Sequence, residues 1–239
     1  MKRSERHRRA AWAILLACLL FPSAYAFGDD RAAGLAAAGW EESTPGRWYN
    51  LPERKVQALD NGISGEFVLA PGTGVAWGKK RGWELSAGAI LSLEMSSDGT
   101  NPSSKDYMEF GRHFPVSVTV VFGKDSMDLP FKTRLADFFV RIWRGFPPGG
   151  IRLTYAFGNR APVGSMYRPG DDEETVFILA GEEEKGKKVQ AKRELRKDFR
   201  AAYGRDPKGP VTRIIVRAER PSGENGPIKG WIILALPGP

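Results

Sequence analysis

A series of short apolar or alternating segments, separated by turn-forming residues, constrains the fold of this chain most strongly. Segments of this length, bounded by Gly, Pro, Asn, Asp and Ser, are typical of β-strands. The sequence therefore predicts strands over the following ranges: Lys55–Leu59, Glu66–Ala70, Gly74–Gly78, Ala89–Met95, Pro115–Phe122, Ile151–Phe157, Thr175–Ala180, Val211–Arg217 and Gly230–Leu236.

Three patterns refine this reading. Asp60-Asn61-Gly62 offers residues that tolerate the backbone of a tight hairpin. Val116 to Val120 alternates apolar and hydroxyl residues, which predicts a strand with one buried face. Trp231 to Leu236 is apolar throughout, which predicts a strand that is buried on both sides or closes the domain.

Two segments have helical rather than strand periodicity. Lys132 to Arg144 places its apolar residues on one helical stripe, suited to packing on a sheet or to lying on a membrane surface. The segment from Arg193 to Tyr203 is predicted to form a charged helix that ends at Gly204. Many strands with two minor helices and no repeating strand–helix–strand unit predict a mainly β fold, an antiparallel β-sandwich of jelly-roll type.

The N-terminus has the three zones of a secretory signal: a basic stretch, an apolar run from Ala10 to Phe21, and the triplet Ala24-Tyr25-Ala26. We expect cleavage after Ala26, and the apolar run is too short for a transmembrane anchor. Lipoprotein processing at Cys18 is the alternative. The predicted organisation is a signal peptide over 1–26, a flexible or helical lead-in over 27–46 and one sandwich domain over 47–239, with a periplasmic or secreted location.

The apparent basicity of the chain belongs in part to this signal. Residues 1–26 hold five of the 36 Lys and Arg and one of the 28 Asp and Glu, so 31 bases and 27 acids remain, a net charge of +4. This balance argues against a nucleic-acid partner and allows a mild attraction to anionic envelope surfaces. Cleavage would also remove the single cysteine, leaving neither a disulfide nor a thiolate metal ligand.

The order of segments from about Trp48 to Trp231 resembles a bacterial exported family of unknown function. The similar elements are Val68-Leu69-Ala70-Pro71-Gly72, Leu91-Ser92-Leu93-Glu94-Met95, Asp106-Tyr107, Val120-Val121-Phe122, Tyr155-Ala156-Phe157, Val163-Gly164, and the helix from Arg193 to Tyr203-Gly204. The resemblance implies a sandwich fold and an envelope setting, and it carries over no chemistry.

This chain departs from the family pattern at three places. Tyr107 stands where the family has a second aspartate, Phe157 where it has tryptophan, and Arg217 to Ser222 where it has an Asp-rich stretch. If those acids bind a ligand or a cation in relatives, this chain has lost that ability.

Carboxylates are the candidate catalytic groups, because glycoside cleavage needs two of them about 5 to 10 Å apart. The candidates are Glu94, Asp106 and Glu109. His113 is the single histidine left after cleavage, and its position suggests a surface or capping role. The acidic run Asp171 to Glu174 could supply oxygens to Ca²⁺, but its spacing favours a solvated turn, so we expect no cofactor.

Aromatic residues give the candidate ligand-binding surface. Trp77 and Trp83 flank the basic turn that contains Lys79 and Arg81, and indole rings stack on the apolar faces of ligands such as sugars. Core packing is the competing explanation for most of the tryptophans. The sequence thus favours a non-catalytic module that binds a glycan or an envelope protein, with a carboxylate-dependent carbohydrate-active enzyme as the alternative; the oligomeric state stays open.

Overall fold

The computed structural model describes residues 30–86, 88–106, 113–123, 150–169 and 174–237. Their helices and strands, in chain order, are α1 (Asp30–Ala37), β1 (Trp40–Ser43), β2 (Glu53–Leu59), β3 (Gly62–Leu69), β4 (Thr73–Trp83), β5 (Ile90–Ser97), β6 (Val116–Phe122), β7 (Ile151–Phe157), β8 (Met166–Tyr167), β9 (Glu174–Ala180), β10 (Val189–Glu194), α2 (Leu195–Tyr203), β11 (Val211–Arg220) and β12 (Ile228–Ala235).

The described strands form two sheets. One has seven strands in the order β1-β4-β11-β6-β7-β9-β8, and the other has five in the order β10-β5-β12-β3-β2. All pairings between these strands are antiparallel except that of β7 with β9, which is parallel. The predicted fold class, a mainly β sandwich of jelly-roll type, is confirmed.

The core lies between the two sheets. Each strand presents alternate side chains to it, because successive residues of a strand point to opposite faces. Trp77 of β4 is fully buried there, and a Cβ on Gly65 of β3 would lie 2.8 Å from its ring. Glycine at position 65 therefore makes the room in which the indole packs. The described part of the core also contains Trp40, Leu93, Val118, Tyr155 and Ile232.

Several local predictions are confirmed. Leu59 pairs with Gly62 across the Asp60-Asn61 hairpin. Helix α2 ends at Gly204, which has a φ of 67°, a left-handed conformation that glycine adopts without strain.

The sheet begins earlier than Arg47, because β1 at Trp40–Ser43 already pairs with β4. The predicted helix at Lys132–Arg144 lies outside the described residues.

Two predictions about strand burial were wrong. Every described position of β6 except Thr119 is buried, so this strand is covered on both faces rather than one. Of the two alternatives for Trp231 to Leu236, burial on both sides is wrong: β12 lies in the middle of the five-stranded sheet with one face towards solvent, where Ile233 is 36% exposed. Helix α2 accounts for part of the core cover, since Leu195, Phe199 and Ala202 are buried.

None of the described helices is long and apolar enough to cross a membrane.

Candidate binding site

The seven-stranded sheet has a second face, opposite the core, that is rich in polar groups. On β11 the residues that alternate with the core positions Ile214, Val216 and Ala218 are Arg213, Ile215, Arg217 and Glu219. The adjacent positions on β6 and β7 hold Ser117, Thr119, Arg152 and Thr154. Most of these side chains are buried, so their polar atoms need hydrogen-bond partners within the protein.

At one end of this second face, a phenol, an imidazole and a carboxylate converge. The Tyr49 hydroxyl lies 3.1 Å from His113 Nδ1, and the same nitrogen lies 3.6 Å from Glu219 Oε1. The Glu219 carboxylate also interacts electrostatically with the Tyr49 hydroxyl. The Glu219 side chain is 6% exposed and that of His113 is 31% exposed. The Glu219 carboxylate is thus the buried member of the cluster, and the His113 imidazole is its accessible member.

Burial is the main cause of a strongly raised Tyr49 pKa, and the negative charge of Glu219 raises the pKa further, while Arg217 opposes it. The phenol therefore stays protonated throughout the physiological range and remains available as a hydrogen-bond donor. Desolvation disfavours the charged form of a phenol, and a nearby carboxylate has the same sign of effect.

The segment that carries Tyr49 is fastened to the start of β4. Asn50 N–H donates to the Gly72 carbonyl, and Gly74 N–H donates to the Asn50 carbonyl, at 3.0 and 2.9 Å. A Cβ on Gly74 would lie 2.8 Å from Pro45 and 3.1 Å from the Glu219 side chain. Glycine at position 74 lets this segment close against β11, which brings Tyr49 to Glu219.

The residue before Tyr49 carries an exposed indole. Trp48 is 68% exposed and immediately precedes Tyr49. The Arg47 guanidinium lies over the indole, 4.1 Å from the ring centroid. A cation–π contact of this kind restricts the ring and places a positive charge beside it. The described chain therefore presents aromatic, basic and hydrogen-bonding groups over three consecutive residues.

A buried amide network supports the cluster from behind. Asn101 Nδ2 donates to the main-chain carbonyls of both His113 and Glu219, at 3.1 and 2.9 Å. Asn159 Nδ2 donates to the same His113 carbonyl at 3.0 Å, and the Ser104 hydroxyl accepts the His113 N–H at 2.9 Å. His113 is thereby fixed at its main chain, so its position is more constrained than that of the surface histidine the sequence suggested.

Asp106, one of the predicted catalytic acids, holds a loop together. Its Oδ2 accepts the N–H groups of Asn159, Arg160 and Ala161, at 3.0, 2.8 and 3.1 Å. Its Oδ1 accepts the Asn159 amide at 2.7 Å and the Ser104 hydroxyl at 3.1 Å. Burial by itself would raise the pKa of Asp106, but these donors together lower it. A carboxylate so occupied is suited to anchoring a loop rather than to transferring a proton.

Glu94, another of the predicted acids, lies on a different sheet from the one that the Asp106 loop adjoins. Glu94 lies on the outer face of the five-stranded sheet, where it pairs with Lys188 and accepts a hydrogen bond from Gln190. Glu109 lies outside the described residues. Of the acidic run proposed for Ca²⁺, Asp171 to Glu173 also lie outside them, and Glu174 accepts a hydrogen bond from Thr154 at 2.7 Å.

The predicted aromatic surface needs a correction. The fully buried Trp77 donates from Nε1 to Glu42 at 2.8 Å, so its ring cannot reach a ligand at the surface. Lys79 donates to the Ala38 carbonyl at 2.7 Å and lies over the buried Trp40 ring. These contacts hold α1 and β1 in place. The side chains of Arg81 and Trp83 lie outside the described part of the structure.

Sequence reasoning missed Trp48, Tyr49 and Glu219 as a group. Glu219 stands in a segment noted only as a departure from the family pattern, and nothing in its spacing relates it to Tyr49. The available signal was a single acid on a strand whose other charged residues are all arginines. Among the described residues no group of three or more His, Cys, Asp and Glu has the arrangement of a metal site.

The described residues therefore define the structural class of the protein. It is a β-sandwich with a buried polar network and an exposed aromatic residue at one end of its larger sheet. The model of a family described as "Protein of unknown function (DUF3047)" matches residues 104–219, which confirms the resemblance to a family of unknown function. No curated protein matches the sequence.

Two solved structures illustrate what the sandwich is similar to. The catalytic domain of Humicola grisea Cel12A, in complex with a soaked thio cellotetraose, has a TM-score of 0.44 and 10% identity, over 82% of this chain and 92% of that chain. The xyloglucanase domain of NopAA, a type three effector from Sinorhizobium fredii in complex with cellobiose, has a TM-score of 0.39 and 10% identity, over 87% and 92%. Neither likeness carries an argument about the function of this chain.

Proposed function

We propose that this protein is an exported, non-catalytic binding module of the bacterial envelope that recognises a glycan through Trp48 and the cluster of Tyr49, His113 and Glu219. The observation that carries the proposal is the exposure of the Trp48 indole, which immediately precedes Tyr49 of that cluster in the chain. A flat ring offers the apolar contact that one face of a sugar needs, and precisely oriented polar groups give such a site its specificity.

The roles of the polar groups follow from their chemistry and exposure. His113, which is partly exposed, can donate or accept a hydrogen bond with a hydroxyl of the ligand. Glu219 is nearly inaccessible, so we assign it to orienting Tyr49 and His113 rather than to direct contact. Arg47 adds a cation next to the indole.

The experiment is affinity electrophoresis of the protein through gels containing soluble bacterial and plant polysaccharides. We expect retardation by at least one glycan, and Trp48→Ala to weaken binding at least about tenfold, as truncation of an aromatic hot spot does. Ile90→Ala is the matched control, because Ile90 is a large apolar residue 46% exposed on the five-stranded sheet. Unchanged binding by Trp48→Ala, or retardation by none of the glycans, would reject the proposal.

Export is a separate part of the proposal and rests on the three zones of residues 1–26. Expression in a Gram-negative host, followed by fractionation and N-terminal sequencing, tests it. A periplasmic protein that begins at Phe27 supports cleavage after Ala26. A cytoplasmic protein that retains Met1, or a lipidated Cys18, contradicts it.

One observation favours the alternative, a carboxylate-dependent carbohydrate-active enzyme. The 3.6 Å approach of Glu219 to His113 is the kind of carboxylate–imidazole pair that general bases use. This hypothesis predicts that a polysaccharide is cleaved and that Glu219→Gln abolishes the release of products. Product release that survives in Glu219→Gln would exclude this carboxylate as the catalytic group.

A further inference from the structure

A second concave site lies among the loops at the same end of the sandwich. It is a cleft of about 530 Å³ whose charged and hydroxyl-bearing lining includes Thr100, Arg160, Glu182, Lys185, Arg220 and Glu224. This volume is within the range of sites that hold small molecules. The cleft does not include Trp48, Tyr49 or His113.

The buried guanidinium of Arg220 lines the cleft without direct ion pairing to a carboxylate among the described residues. Four of its five N–H groups donate to neutral oxygens: Nε to the Gly226 carbonyl, Nη1 to the Thr100 carbonyl and to Asn101 Oδ1, and Nη2 to the Asn225 carbonyl. The fifth has no acceptor in the described structure. Burial lowers the pKa of Arg220, whereas the negative charges of Glu224 and Asp98 act in the opposite direction.

A second guanidinium in the cleft is available to a ligand. Arg160 is exposed, and its side chain has no hydrogen-bond or ion-pair partner in the described part of the chain. Its main chain, however, is fixed by the hydrogen bond from its N–H to Asp106 at 2.8 Å. Arg160 therefore presents an exposed charge in the same cleft as Arg220, from a main chain that is held by a hydrogen bond.

Two carboxylates restrict which anions the cleft can accept. Glu224 is 8% exposed; its Oε1 accepts the N–H and the hydroxyl of Ser103, and its Oε2 has no donor in the described structure. Glu182 pairs with Lys185 and accepts the Thr100 hydroxyl at 2.8 Å. A multiply charged anion would be repelled by these groups, whereas the hydroxyls of a ligand would find acceptors in them.

We propose that this cleft binds a small hydroxylated monocarboxylate, of the sugar-acid class, with its carboxylate towards Arg160 and Arg220 and a hydroxyl on Glu224. Guanidinium groups recognise carboxylates through charge-assisted hydrogen bonds, and the carboxylate of the ligand would accept the remaining N–H of Arg220 and those of the Arg160 guanidinium. This site is distinct from the Trp48 surface, so the inference does not depend on the proposed function.

Isothermal titration of the full chain with D-glucuronate, at fixed ionic strength, tests the inference. We expect saturable binding of D-glucuronate and much weaker binding of D-glucose, which lacks the carboxylate, and of sulfate, which carries two charges. Arg160→Gln should weaken D-glucuronate binding about tenfold, the loss expected for one charge-assisted hydrogen bond.

The controls separate this site from the rest of the surface. Lys208→Gln removes an exposed cation before β11, at the end of that strand opposite Arg220, and should leave binding unchanged. Arg160→Lys should restore part of the affinity. The inference is overturned if D-glucuronate does not bind at about 10 mM, where even a weak site would be occupied, if Arg160→Gln binds as wild type, or if D-glucose or sulfate binds as well.

Discussion

The outer faces of the two sheets differ in what covers them. On the five-stranded sheet, β2 and β10 alternate between exposed and partly buried residues, and Glu94, Lys188 and Gln190 meet in contact with solvent. On the seven-stranded sheet, β6 and most of β11 are buried on both faces. The polar groups of the first face exchange partners with water, whereas those of the second must be satisfied by the protein.

This difference shows how a hydroxyl-bearing strand face can be buried. Thr119 and Thr154 approach within 2.9 Å through their hydroxyls, and Thr154 donates to Glu174 at 2.7 Å. Because a hydroxyl both donates and accepts, these residues form a continuous hydrogen-bonded chain across neighbouring strands. Alternation of apolar and hydroxyl residues therefore does not by itself indicate a solvent-exposed face.

The largest expected effect is at the end of the buried polar network. Asp106→Ala leaves five donors without their acceptor, and we expect it to lower the free energy of unfolding by about 3 to 5 kcal/mol, as breaking buried charged interactions does. Denaturant titration at neutral pH measures this loss. A loss below about 1 kcal/mol would mean that the network is not a unit of stability.

The same carboxylate gives a pH dependence with a defined sign. Its pKa is lowered in the folded state relative to 3.8, so its stabilisation is present above that value and is lost as the pH falls through the folded pKa. Asp106→Asn, which cannot titrate, should lack this part of the acid destabilisation. An acid limb identical to that of the wild type would contradict the assignment.

An intermediate effect is expected in the middle of the second face. Thr154→Val keeps the shape of the side chain but removes the hydroxyl that joins Thr119 to Glu174, and should cost about 1 to 3 kcal/mol because a buried acceptor loses its donor. Ser92→Ala removes a hydroxyl from the outer face of the five-stranded sheet and should change stability by less than about 0.5 kcal/mol. Equal losses of unfolding free energy in both variants would contradict the difference between the outer faces of the two sheets.

A smaller effect than that of Thr154→Val is expected for the pair of Lys188 and Glu94, whose side chains are 53% and 17% exposed. Lys188→Ala should cost at most about 1 kcal/mol, because exposed ion pairs are weak. The loss should shrink further in high salt, which screens exposed charges. A large loss that is independent of salt would show that this face, too, contains a stabilising network.

Local sequence patterns predicted the parts of the fold that depend on neighbouring residues. The Asp60-Asn61 hairpin and the end of α2 at Gly204 are determined by backbone preferences within a few residues. The burial of β6 and β12 was reversed, because the cover over a strand face comes from segments distant in the sequence. Periodicity shows which side chains of a strand are apolar or polar, but it does not show which other segments cover each face of the strand.

The candidate site was less accessible to prediction for the same reason. His113 could be singled out by its rarity, but its contacts with Tyr49 and Glu219 join three segments that are far apart in the chain. Trp77 was chosen for its proximity in sequence to basic residues, although alternation along β4 directs it into the core. Aromatic and basic residues that are close in sequence therefore give weaker evidence of a binding surface than the exposure of their side chains does.

The position of β12 has a consequence for the order of folding. This strand lies between β3 and β5, so Leu234 pairs with Ile63 on one side and Leu93 on the other. Both partners are synthesised long before Leu234. Until residues 228–235 have been synthesised, β3 and β5 have no common neighbour, and each keeps an unpaired edge. Closing such long loops is slow, and open edges invite pairing with other chains. A chaperone that binds the nascent chain until β12 has been synthesised would therefore raise the yield of folded protein.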